Sequence, residues 1–464
     1  MKPKCRLLAL FAAVALSIPL FSFGANAAFN TLLSDVPGIT NVSEIVLLQS
    51  LDDGMVIFEK NADTPTAPAS LTKITTAILT MESIKDLDTP VTAKAYCIRM
   101  FDGTGSSNAG IKPGEILTVR DLLYCLMLPS ANEAAAILAD FVGGSIEAFV
   151  QKMNDFAAAL GCENTHFKNP HGLDEDGHFT TARDLAKITS YAYSAVFGQA
   201  ALFEQIVTTL RYEIPPTNMR ETKRILLNTN RMMNAAVPDY YSPDVRGVKT
   251  GTTDNAGDCV VAKATKNGYN YLCIVLKGQK VNVDKDETLE NTAFIDAKAL
   301  FNWAFDNLRL RQVTQKGQVV ATVPIALGRE ADTLQLAPAE SLSFLVPKGL
   351  NADSVLVEVI PDTVPKDLMA PLSEGDFVCK GKLLFAGKEF ATIDLYAAAT
   401  VRRSAALYAA WLAKKMVASL LFKAICAIAL LLCAIIAFAA LLRTIKRSRE
   451  KQMRVLPTIS NPKK

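Results

Sequence analysis

Three short groups of residues in this chain set a hydroxyl beside an amine or an amide. Ser70-Leu71-Thr72-Lys73 follows Pro68-Ala69 and opens a run in which Leu71, Ile74, Ile78 and Met81 recur at helical spacing. Residues i and i+3 share a helix face, so the Ser70 hydroxyl and the Lys73 amine can touch. A serine needs a base to become a nucleophile, and a lysine desolvated in a closed cleft can be that base because burial lowers its pKa. Ser130-Ala131-Asn132 lies sixty residues on, between helical runs, where a hydroxyl and an amide two apart can both point into one cleft. Lys249-Thr250-Gly251, followed by Thr252, leads toward a strand-like run. An edge strand with Lys, Thr and a glycine lacking a side chain can hold a substrate carboxylate while its backbone comes close. Each group alone also has an ordinary reading: an N-capping serine with a surface lysine, a helix N-cap before Glu133, and a turn.

In the order S-x-x-K, S-x-N, K-T-G, the set resembles the motifs of the penicillin-recognising serine acyl-transferases. Further segments look like those of the D-alanyl-D-alanine carboxypeptidases. They are Asn61-Ala62-Asp63 before PASLTKITTA, Gly105-Ser106-Ser107, Asn169-Pro170-His171-Gly172-Leu173 and Asn228-Thr229-Asn230. The resemblance covers about residues 30–310, and the β-rich region over 312–400 resembles their C-terminal domain. It implies that Ser70 forms an acyl-enzyme with Lys73 as general base, and that Ser130 relays the proton to the leaving D-alanine. It further implies that Asn132 holds the substrate amide and that Lys249 and Thr250 bind the terminal carboxylate. The backbone N–H groups of Ser70 and Thr252 would form the oxyanion hole, whose donors act on the charge that develops in the transition state. Two positions depart from the family pattern: Ala131 stands where Gly is usual, and Thr252-Thr253 where an aromatic residue or His is usual.

The implied activity is that of a serine D-Ala-D-Ala carboxypeptidase acting on the peptidoglycan stem pentapeptide. β-Lactam antibiotics would be its covalent inhibitors, and no cofactor is implied. A β-lactamase of the same superfamily is an alternative, but no E-x-x-x-N stretch with the expected context lies between the second and third groups. A non-catalytic penicillin-binding wall protein is another, and an intact serine–lysine pair speaks against it. His166, His171 and His178 fall within thirteen residues, yet their spacing, with no neighbouring Glu on a predicted helix, is not that of a metal site.

These residues need a frame to hold them. Glu44–Leu48 and Met55–Glu59 flank Asp52-Asp53-Gly54, a hairpin signal, and strand-like runs return at 258–263 and 271–276. Helical runs are expected at 119–143, 145–160 and 290–306. Strands at both ends of a helical middle predict an α+β catalytic domain over 28–310, of β-lactamase/transpeptidase-like type, with an antiparallel sheet flanked by helices. Short β-rich runs at 319–325, 341–346, 355–360, 377–385 and 390–396 predict a small all-β domain over 311–400.

The ends are addresses. Residues 1–27 carry Lys2, Lys4 and Arg6, an apolar run and Ala25-Asn26-Ala27, the pattern of a cleaved secretory signal. Residues 401–423, with five bases beside Tyr408 and Trp411, suit a helix at a lipid surface that runs into a span. Residues 424–442 hold nineteen positions without a charge, enough for a transmembrane helix. The basic tail over 443–464 then predicts a cytoplasmic C-terminus, so the body is expected on the extracytoplasmic side of the cell membrane as a single-pass protein. The net charge of +3 hides an acidic body, since the bases of the leader, the juxtamembrane segment and the tail outnumber the excess. Such a body is a poor partner for nucleic acid. The six cysteines outside the ends are scattered without C-x-x-C spacing, and the domain is too large to need a dense disulfide framework.

Overall fold

The computed structural model describes residues 42–281, 290–349, 355–385 and 388–453, together with Val36 and Ile39. The hairpin signal at Asp52-Asp53-Gly54 does form a hairpin. Ile45–Ser50 pairs antiparallel with Val56–Lys60, Asp53 Oδ1 accepts the Met55 N–H at 3.1 Å, and Gly54 takes a φ of +76°. Ile45–Ser50 also pairs with Tyr269–Gly278, which continues the sheet through Gly257–Lys266 to Val245–Thr253. The five-stranded sheet therefore joins the two ends of the catalytic region, and the K-T-G segment lies on its edge strand.

Strand side chains alternate between faces, and here the alternation divides two cores. Leu47, Val261, Leu272 and Ile274 face one, and Leu48, Val260, Cys273 and Val275 face the other. The first core is closed by helices Thr72–Ser83, Val119–Met127, Asn132–Gly143, Ile146–Ala159 and Ala182–Ala192. The second is closed by Thr292–Asn307, whose N-cap Asn291 accepts the Ala293 N–H at 2.9 Å.

The helical run expected over 119–143 is two helices. Thr118 and Asp121 form a capping box at the start of the first. Pro129 has no N–H to offer the Cys125 carbonyl, which instead accepts from Ala131 N at 2.9 Å. That break creates the short loop on which Ser130 sits.

Beyond the last sheet-packing helix the chain is β-rich. Leu308–Thr314 pairs with Leu342–Pro347, Ala321–Pro324 with Thr333–Ala337, Thr333–Ala337 with the end of Lys388–Ala397, and Val355–Val359 with Phe377–Phe385. The described chain falls into two compact units. The larger holds the five-stranded sheet, its helices and the strands Leu308–Thr314, Leu342–Pro347 and Val355–Val359; the smaller holds Ala321–Pro324, Thr333–Ala337 and the C-terminal helices.

The helix expected to run into the apolar segment is broken before it. Ala405–Ala418 ends at Ser419, which is extended, and the Ser419 Oγ accepts from Phe422 N at 3.2 Å to cap a new helix, Leu420–Met453. A serine side chain competing for the backbone is the local reason for the break. This second helix includes residues 424–442 and is long and apolar enough to cross a membrane by length and composition. The leader expected over 1–27 and residues 454–464 of the tail lie outside the described residues.

Candidate active site

Ser70 is half-buried on a single 3₁₀ turn, Ala69–Leu71, that runs directly into Thr72–Ser83. Ala69 has a φ of +48°, an uncommon conformation for a residue with a side chain and one that tends to persist only when its surroundings hold it. One turn on, Lys73 is fully buried. Its Nζ lies 2.8 Å from Ser70 Oγ, 2.6 Å from Asn132 Oδ1 and 2.5 Å from the His171 carbonyl oxygen. The carbonyl and the amide oxygen can only accept. A neutral amine has two N–H groups for those two, which leaves its lone pair for the Ser70 hydroxyl. Burial and, after it, the charge of Lys249 push the Lys73 pKa well below its ordinary 10.5, against an opposing pull from Glu133.

Asn132 opens the Asn132–Gly143 helix and is buried. Ser130, two residues earlier, is buried with a φ of +64°, and its Oγ has no hydrogen-bond partner. Such an orphaned hydroxyl is costly unless something else uses it.

The edge strand Val245–Thr253 passes directly beside the Ser70 turn. A Cβ on Gly251 would stand 3.0 Å from both Ser70 N and Ala69 Cβ, so a larger residue would press strand and turn apart by a few tenths of an ångström. Lys249 is buried, donates to the Thr250 carbonyl at 2.9 Å, and pairs with no acid among the described residues. Burial pulls its pKa down to about 7. The Thr250 Oγ1 is 2.7 Å from Thr229 Oγ1, and Thr252 Oγ1 donates to Asp258 Oδ1 at 2.9 Å.

Direct hydrogen bonds thus join Ser70, Lys73 and Asn132, and Gly251 packs the K-T-G strand against the same turn. Ser130 is close in sequence to Asn132 but bonded to none of them. The sequence reading did not single out the His171 carbonyl, Glu133, Thr229 or Gly172 as site residues. His171, Gly172 and Thr229 lie in segments chosen only for their resemblance to a family. A backbone carbonyl has no side-chain signature, so the one signal for His171 was its segment.

The three histidines do different work. His166 Nδ1 lies 2.8 Å from the Gly177 carbonyl, His171 stacks edge-on against Phe101, and His178 bonds Thr72. Burial, followed by the charge of Lys73, lowers the His171 pKa to about 3. Among the described residues no group of three His, Cys, Asp or Glu could hold a metal ion. Cys97, Cys125, Cys162, Cys259, Cys273 and Cys379 are all free and buried.

The family model for D-alanyl-D-alanine carboxypeptidase matches residues 35–280, more than half of the chain. The chain belongs to the D-alanyl-D-alanine carboxypeptidase family. Residues 309–403 match the C-terminal domain of penicillin-binding protein 5. Among curated relatives, D-alanyl-D-alanine carboxypeptidase DacF of Bacillus subtilis is 29% identical over 79% of this chain and 87% of its own length. DacC of Escherichia coli is 31% identical over 72% of this chain and 77% of its own. Penicillin-binding protein 5 from Haemophilus influenzae shares the fold, with a TM-score of 0.60 at 24% identity over 80% of this chain and all of that one. The Streptomyces K15 DD-transpeptidase is 30% identical, with a TM-score of 0.50 over 58% of this chain and 98% of that one. As a member of this carboxypeptidase family the chain is an enzyme, a serine peptidase that works through an acyl-enzyme and binds penicillins.

Proposed function

We propose that this carboxypeptidase removes the terminal D-alanine from peptidoglycan stem pentapeptides, with Ser70 as nucleophile and Lys73 as its base. The observation that carries the reading is the fully buried Lys73 amine 2.8 Å from Ser70 Oγ. Neutral Lys73 takes the Ser70 proton as Oγ bonds to the carbonyl carbon of the penultimate residue. The oxyanion that forms is held by the N–H groups of Ser70 and Thr252. The proton then passes from Lys73 to Ser130, while the proton of Ser130 goes to the nitrogen of the departing D-alanine. The unpartnered Ser130 hydroxyl suits that relay. Water then attacks the ester as Lys73 takes its proton, and the bond from the carbonyl carbon to Oγ breaks as Lys73 returns that proton to Ser70, which frees the shortened peptide and restores both residues. Asn132 receives the substrate amide, and Lys249 and Thr250 receive the terminal carboxylate. The substrate carboxylate would give Lys249 the acid partner it lacks.

The organisation that goes with this reading is a leader over 1–27, a catalytic domain over 28–310, a β-rich domain over 311–400, a juxtamembrane segment over 401–423, a span over 424–442 and a tail over 443–464. Arg443, Lys446, Arg447, Arg449 and Lys451 directly after the span favour a cytoplasmic tail and an extracytoplasmic catalytic domain.

Mass spectrometry of the full chain after incubation with fluorescent penicillin should find one adduct, on the peptide carrying Ser70. Incubation with a pentapeptide should release D-alanine. An adduct on Ser130, or labelling that survives Ser70→Ala, would overturn the assignment.

A further inference from the structure

We propose that His178 is a positioning residue for acylation, acting through Thr72 to orient the peptide group whose N–H is the Ser70 oxyanion donor. The inference rests on Ser70 being the nucleophile. The hydrogen bonds run in one direction from end to end. The Lys168 N–H, which can only donate, meets His178 Nδ1 at 2.9 Å, so Nδ1 accepts and the neutral ring carries its hydrogen on Nε2. That Nε2–H donates to Thr72 Oγ1 at 3.0 Å, and the Thr72 hydroxyl in turn donates to the Ala69 carbonyl at 2.9 Å.

The Ala69 carbonyl and the Ser70 N–H belong to one planar peptide group, so fixing the direction of the C=O fixes that of the N–H. The peptide follows a residue in the left-handed region and is held on the chain's own side by a single 3₁₀ turn, in which the Ala69 carbonyl accepts the Thr72 N–H; the Thr72 hydroxyl adds a second bond to the same oxygen and sets the direction in which it points. Gly172 closes the other side: a Cβ there would lie 1.9 Å from the Ala69 oxygen and 2.9 Å from Thr72 Oγ1. His178 and Thr72 are buried, so water does not replace either bond. Burial, followed by the charge of His166, lowers the His178 pKa to about 4, which keeps the ring neutral and the direction intact near neutral pH. His178 makes no hydrogen bond with Ser70 or Lys73; its reach to the reaction is through Thr72.

The test is stopped-flow acylation of the full chain in detergent by a fluorescent penicillin, separating the noncovalent dissociation constant from the acylation rate constant at saturation. Thr72→Val and His178→Ala should each lower the acylation rate constant by about tenfold or more and leave the dissociation constant within about twofold, because a misaimed donor acts on the transition state. Thr72→Ser and His178→Gln, which keep the donor and acceptor atoms, should stay within about threefold of the parent. The double variant His178→Ala/Thr72→Val should be no more than about twofold below the slower single, since both break one path. Full-rate acylation by Thr72→Val, a loss confined to the dissociation constant, or losses that multiply in the double variant would overturn the proposal. If His178→Ala does not fold, Thr72→Val against Thr72→Ser decides. Labelling that survives Ser70→Ala would instead overturn the nucleophile assignment, so the two failures are distinguishable.

Discussion

Replacing Lys249 by methionine should make the unliganded protein more stable while abolishing acylation by penicillin. Lys249 is 1% exposed, its ammonium donates only to the neighbouring Thr250 carbonyl, and burial lowers its pKa from 10.5 to about 7. A group whose pKa is lower in the folded than in the unfolded state binds fewer protons when folded, so it opposes folding wherever the unfolded group is protonated. That opposition is greatest below about pH 7, fades as the pH climbs toward 10.5 and is absent above it. From these two pKa values it comes to about 4 kcal/mol at pH 7 and about 1 kcal/mol at pH 10. Methionine keeps the aliphatic stem and drops the charge. In a domain of this size the gain at pH 7 corresponds to a rise in Tm on the order of 10 °C. Thermal unfolding of parent and variant at pH 7 and pH 10, beside fluorescent-penicillin labelling, checks both halves. A variant less stable than the parent at pH 7, or a gain of equal size at both pH values, would show that Lys249 does not oppose folding through its buried charge, and undiminished labelling would show that it does not hold the substrate carboxylate.

The acylation rate constant at saturating penicillin should rise with pH as Lys73 loses its proton, and level off well below lysine's ordinary 10.5 because the folded pKa is lowered. Lys73→Arg, which cannot give up a proton at usable pH, should lose orders of magnitude; a flat pH profile or an active arginine variant would point to another base. Glu115→Ala should destabilise by about 3–5 kcal/mol in a denaturant titration, because it strands the buried Arg224 guanidinium that Glu115 holds at 2.9 and 3.0 Å; a loss under about 1 kcal/mol would contradict this. Alkaline carbonate or high salt should leave the full chain in membranes, since a spanning helix resists washes that lift a surface helix. Release by carbonate would show that the segment lies on the membrane.

What the sequence made visible was local. The hairpin at Asp52-Asp53-Gly54 was legible because turn chemistry and alternation occur within a few residues, and Ser70 with Lys73 because three residues make one helical turn. The all-β nature of the C-terminal region was legible from its short runs, yet the strand Thr333–Ala337 was missed, as were the two-stranded pairings of Pro90–Thr92 with Ile116–Thr118 and of Arg211–Ile214 with Arg224–Leu227. Strands of three to five residues carry too little pattern to stand out. The helix break at Ser419 was missed because neighbouring apolar residues outweigh one serine in any window. In the site, the lysine's third partner is a main-chain oxygen 98 residues away, and the Glu115–Arg224 pair joins residues 109 apart. Neither leaves a trace in composition or spacing.

The two glycines that touch the Ser70 turn limit to different degrees how this enzyme can change. Gly172 and Gly251 meet backbone atoms of the same turn, the Ala69 oxygen and carbon in one case and the Ser70 nitrogen in the other. A bulky residue facing a side chain can be accommodated by a second, compensating substitution; a residue facing main chain has no such remedy, because every amino acid carries the same backbone there. Gly172, where an added Cβ would lie 1.9 Å from the Ala69 oxygen, is therefore beyond rescue by a second side chain, whereas the 3.0 Å contacts of Gly251 include the Ala69 side chain and ask for a smaller shift. Enlarging Gly172 would mean moving the turn that carries Ser70, so this position ties the nucleophile's placement to main chain rather than to any side chain that could change with it.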